Sequence, residues 1–66
     1  MTKPQIGDIW EYTYPHPEYG AATLLVLDYF MDGDYHLCLK LEDGSVGDWY
    51  MDLDNKYEAS KWRWLA

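Results

Sequence analysis

Between residues 35 and 41 the chain alternates strictly, with Tyr35, Leu37, Leu39 and Leu41 on one side of an extended segment and His36, Cys38 and Lys40 on the other. A period of two predicts a β-strand, and its leucine-bearing side is expected to face the core. Asp32-Gly33 and Asp43-Gly44 bracket this segment. Asp-Gly steps between runs of high β propensity are strong hairpin signals. They predict a meander of three strands over residues 22–30, 35–41 and 46–53. Upstream, residues 8–14 read as a first strand in which Trp10, Tyr12 and Tyr14 alternate with Ile9, Glu11 and Thr13. A glutamate resists burial, so the ring-bearing side is expected to point inward, at least at Trp10. Downstream, a single helical turn over residues 57–60 leads into residues 61–65, KWRWL, whose alternation of charge and ring predicts a short closing strand.

Loop lengths follow from which side chains share a face. A two-residue Asp43-Gly44 turn pairs Leu39 with Asp48 and Leu37 with Tyr50. On a leucine-lined core face that buries an aspartate, which costs several kcal/mol without a partner. A three-residue loop, Glu42-Asp43-Gly44, with Gly44 left-handed in a bulge, pairs Leu37 with Trp49 and Tyr35 with Met51, and is the expected register. The same test favours a three-residue loop around Asp32-Gly33, with Leu25, Leu27 and Tyr29 inward and Asp28 outward. Leu24, Val26 and Phe30 then lie on the outer side and need cover from the first strand or from residues 61–65. A five-stranded antiparallel sheet folded over in this way closes into a small barrel and removes its edges.

Composition sharpens the picture. Sixty-six residues hold one small domain, expected over residues 1–66. A chain of this size buries only about 60% of the surface exposed when unfolded. Cys38 is the single cysteine, so no disulfide adds stability, and no Cys/His cluster has zinc-ligand spacing. Seven tyrosines and four tryptophans must supply the buried area instead. No apolar run resembles a signal peptide or the ~20 residues of a membrane span, so a cytoplasmic protein without membrane contact is expected. Twelve acids against five bases give a net charge of −7, and nine of the acids fall between Asp28 and Glu58. Such a surface repels phosphate backbones, which argues against direct nucleic-acid binding.

Short strands, a long loop after the first, tight hairpins and a helical turn before the last together resemble an SH3-like barrel. The stretch PQIGDIWEYTYPHPEYGAATLLVLDYF, residues 4–30, also resembles the opening of the MazF-type RNA-cutting toxins, which share that barrel. The resemblance implies the same succession of a Gly-Asp-Ile-Trp strand, a long loop and a Val-Leu-rich strand. The toxins' activity relies on a basic residue after the loop and a downstream hydroxyl residue. Here Ala21, Ala22 and Thr23 follow the loop and Arg63 is the only arginine, so the fold carries over and the catalytic set does not.

Candidate chemistry is correspondingly thin. His16 stands between two prolines with Glu18 nearby, but no nucleophile accompanies it. His36 is expected on the outer side of its strand, opposite Tyr50, as a surface pair and not a metal ligand. Cys38, Thr23, Ser45 and Ser60 lack an Asp/His constellation. The run from Asp52 imitates a calcium loop, but Tyr57 stands where its glycine belongs and Arg63 where its closing glutamate belongs. No catalytic residue, metal or cofactor is therefore assigned.

The expected role is a non-enzymatic protein-binding module or small inhibitory protein, monomeric or weakly dimeric. Its contact residues would be Tyr14, His16 and Tyr19 of the loop and Asp28, Phe30, His36, Asp48, Tyr50, Asp52 and Asp54 of the meander. One alternative is an acidic nucleic-acid mimic, a role to which a phage origin is suited. Asp48, Tyr50, Asp52 and Asp54 would recur ~6.6 Å apart along one strand face, about half the density of phosphates in a duplex strand. A divergent toxin-like ribonuclease is the other.

Overall fold

A computed structural model describes residues 3–13 and 22–66. Five strands, β1 (Ile9–Tyr12), β2 (Ala22–Phe30), β3 (Tyr35–Lys40), β4 (Val46–Tyr50) and β5 (Trp62–Trp64), form one antiparallel sheet in the order β4-β3-β2-β1-β5. A single-turn helix, α1 (Lys56–Ala59), precedes β5. Asn55 caps it, its side-chain oxygen accepting from the backbone N–H groups of Tyr57 and Glu58. The all-β class, the order of elements and the placement of every strand agree with the reading of the sequence. The third and fourth strands end earlier than expected, at Lys40 and Tyr50.

The sheet is not closed. β4 and β5 are its two edges, and no hydrogen-bonded ladder joins them. What spans the gap is aromatic: Trp49 of β4 meets Trp62 of β5 with ring centroids 6.0 Å apart and planes nearly perpendicular. Tyr12 of β1 lies 4.8 Å from Trp62 and 5.8 Å from Trp49. The sheet is thus curled until its edges share a ring cluster, short of pairing.

Both hairpin loops are one residue longer than expected. Phe30 pairs with Tyr35, leaving Met31–Asp34 as a four-residue connection in which Met31, Asp32 and Gly33 all take positive φ. Lys40 donates to the Ser45 carbonyl at 2.8 Å, leaving a second four-residue loop over residues 41–44. Gly44 is left-handed there, as expected, at φ +76°. Asp43 stiffens the loop by accepting from the Ser45 N–H and hydroxyl.

The larger correction concerns which face is the core. His36 and Cys38 point inward and are fully buried, while Tyr35 and Leu41 are exposed and Leu37 and Leu39 only half-buried. On β2 the buried residues are Leu24 and Val26, whereas Leu25 is half-buried and Leu27 and Tyr29 are exposed. Trp10 is buried as expected. β2 is apolar on both sides, so its own pattern cannot choose, and the choice is made by what covers each side. Met51 and Leu53 after β4, Glu58 and Ala59 of α1, and Trp62 of β5 all pack onto the Leu24–Cys38 side. Leu37 then pairs with Asp48 and Leu39 with Val46 on the other side. Asp48 stays exposed there, and the burial penalty that favoured a three-residue loop over a two-residue turn does not arise. A bulge between Val26 and Asp28 inserts Leu27 and keeps Asp28 outward, opposite Leu37.

Candidate functional site

The outward side of the sheet carries the candidate site, because strand pairing lines its side chains into rows. Ile9 pairs with Leu25, Leu25 with Leu39, and Leu39 with Val46, so one apolar row crosses four strands. The next row is Asp28, Leu37 and Asp48. The third is Phe30, Tyr35 and Tyr50, whose rings are in contact: Phe30 and Tyr35 stack at 5.9 Å, and Tyr35 meets Tyr50 edge-on at 5.4 Å. Phe30, Tyr35 and Val46 are exposed by 42, 37 and 56%. The Tyr50 hydroxyl donates to an Asp52 carboxylate oxygen at 3.2 Å. Partial burial, that hydrogen bond and the surrounding acids raise the Tyr50 pKa above its ordinary value. Toward β5 the face ends in an ion pair between Arg63 and Glu11 at 2.6 Å.

Of the residues named from the sequence, Asp28, Phe30, Asp48 and Tyr50 come together on this face. His36 does not. It is 2% exposed, sits inside the sheet opposite Trp49 instead of Tyr50, and touches the ring of Tyr29. Asp52 and Asp54 lie beyond the end of β4, interleaved with buried Met51 and Leu53, so the acidic row does not continue along a strand. Tyr14, His16 and Tyr19 lie outside the described residues. Sequence reasoning overlooked Ile9, Leu25, Tyr35, Leu37, Leu39 and Val46 as surface components. No local signal marked them, because β2 is apolar on both faces and the pairing of Asp28 and Asp48 with Leu37 is set by the register of the folded sheet.

Two of the hollows lined by described residues flank the sheet. One, of about 440 Å³, lies between the N-terminal segment and the first hairpin and is lined by residues 3–6, Tyr29, Asp32, Gly33 and His36. Burial lowers the His36 pKa, against a weaker upward pull from a hydrogen bond with the Pro4 backbone, and Nδ1 has no partner. The other, about 250 Å³, is a cleft along the outer edge of β4, walled opposite by Glu58, Lys61 and Trp62. Glu58 is buried and held: one carboxylate oxygen accepts from the Trp62 indole N–H at 3.0 Å and the other lies 3.4 Å from the Lys61 ammonium. The two cations of the closing segment pair with Glu58 and Glu11.

Nothing in either hollow assembles a nucleophile with an oriented base. The Cys38 thiol is buried, and burial together with the charge of Asp48 pushes its pKa up to about 12, the opposite of activation. Among the described residues no grouping of His, Cys, Asp and Glu is placed to hold a metal ion, and no helix is long and apolar enough to cross a membrane. No protein-family model matches the chain, and neither curated proteins nor solved structures yield a match.

Proposed function

We propose that the chain is a non-enzymatic protein-binding module of SH3-like architecture whose outward sheet face is its docking surface. The observation that carries this is the apolar row from Ile9 to Val46, with the Phe30–Tyr35–Tyr50 ring row beside it and Asp28 and Asp48 set between them. Contiguous apolar surface of this kind, interrupted by charge, is characteristic of docking sites. The acids and the net charge of −7 select a partner that presents cations among apolar side chains. The SH3-like reading is supported by the strand order, by the helical turn before β5, and by the ring cluster that brings β4 and β5 toward each other.

The test is affinity capture on immobilised protein, comparing the wild type with Val46→Ser/Tyr50→Ser, whose side chains are exposed and whose fold is checked by circular dichroism. A partner held by the wild type, released by the double variant and retained through a high-salt wash supports docking by this face. At about 1 M salt the Debye length is only ~3 Å, so a complex held by charge alone dissociates. Capture indifferent to the double variant, or no capture, overturns the proposal.

A further inference from the structure

We infer that the outer edge of β4 is a strand-addition site for an extended, cationic segment of the partner. This rests on the docking reading above and specifies its geometry.

Hydrogen bonding fixes which backbone groups of β4 are available. Lys40 donates to the Ser45 carbonyl, and Met51 donates to the Asp34 carbonyl at 2.9 Å. In an antiparallel ladder alternate residues direct both backbone groups at the neighbour. Residues 45, 47, 49 and 51 therefore face β3, while Val46, Asp48 and Tyr50 turn their N–H and C=O groups away from it. That side of β4 pairs with no strand among the described residues. It borders the cleft walled by Glu58, Lys61 and Trp62. Edge groups of this kind template another chain unless something blocks them.

Side chains decide which chain. Val46, Asp48 and Tyr50 stand on the outward face, so an added antiparallel strand places a residue directly opposite each. An apolar residue suits Val46 and Tyr50, and lysine or arginine suits Asp48. A second copy is the poorer occupant: pairing β4 with its own copy about its centre sets Asp48 against Asp48, between two chains of charge −7. Like charges directly opposite on a sheet are destabilising. Asp48 thus discriminates, repelling self-association and admitting a cationic strand.

The probe is the peptide Thr-Val-Thr-Arg-Thr-Val-Thr with blocked ends, titrated into the isotopically labelled full chain and followed by amide chemical shifts and hydrogen exchange. Three comparisons accompany it: Glu in place of Arg, N-methylation of the Val and Arg amides that would pair with β4, and N-methylation of Thr amides that would point away. Strand addition predicts slowed exchange at Val46, Asp48 and Tyr50, and binding roughly tenfold weaker with Glu at the centre. It further predicts loss of binding on methylation of the pairing amides alone. Asp48→Lys should reverse the Arg/Glu preference.

Binding that shifts outward-face residues but tolerates methylation of the pairing amides overturns strand addition and leaves the docking face standing. No protection of the three β4 amides at millimolar peptide overturns it as well. A concentration-dependent dimer that protects those amides instead assigns the edge to a second copy and overturns the cationic partner.

Discussion

Replacing Glu58 with alanine tests the interaction that holds the closing segment onto the core. Glu58 is 9% exposed and its carboxylate accepts from the indole N–H of Trp62, itself 8% exposed and in contact with Tyr12 and Trp49. Truncation leaves that N–H buried without an acceptor, a penalty of about 1–3 kcal/mol. Loss of the buried stem adds to this, so a total of about 2–3 kcal/mol is expected. In a domain this small each kcal/mol is worth about 4–8 °C of melting temperature, so Glu58→Ala should lower Tm by roughly 10–20 °C. Glu58→Gln keeps an acceptor for the indole and should lose clearly less. Urea unfolding followed by tryptophan fluorescence measures the difference, with an unchanged m-value confirming that the folded state is the same. A Trp62→Phe background removes the donor, so there the cost of Glu58→Ala should shrink. An equal cost in both backgrounds, or a loss within about 0.5 kcal/mol of zero, would refute the reasoning, since the latter is the range of an ordinary surface substitution.

Other consequences are open to direct measurement. With its pKa pushed up to about 12, Cys38 should resist alkylation in the native protein and react rapidly once unfolded in urea, whereas equal rates would contradict its inward placement. Burial lowers the His36 pKa below 6.5, so between its folded pKa and 6.5 the unfolded chain binds more protons than the native one. Stability should therefore fall as pH drops through that window and level off below it, and His36→Gln should remove this step from the stability–pH profile. Gly44→Ala should cost on the order of 1 kcal/mol through its positive φ alone, since a Cβ there meets open space, whereas Gly47→Ala should be nearly neutral by urea titration. Deleting residues 61–66 removes Trp62 from the core and strips β1 of one of its two partner strands, and should unfold or aggregate the chain, read by melting and light scattering.

Local signals in the sequence determined a good deal here. Asp-Gly steps, β-branched and aromatic runs and the KWRWL alternation located every strand, because turn chemistry and a two-residue period act over a few neighbouring residues. Gly44 was legible as left-handed for the same reason. What they could not decide was the side of the sheet that becomes the core, since β2 is apolar on both faces and a one-step change of face costs nothing locally. The return of Met51, Leu53, α1 and Trp62 across one side settled it, and that is a long-range packing event. It buried His36 and Cys38 where leucines were expected, and turned Leu37 and Leu39 toward the surface that carries the proposed function. Loop length followed the same logic: four-residue connections became compatible with Asp48 only once its face was the wet one. The Glu58–Trp62 bond was likewise illegible until the helical turn and β5 had been brought together, because nothing in a solvated glutamate's sequence context marks it for burial.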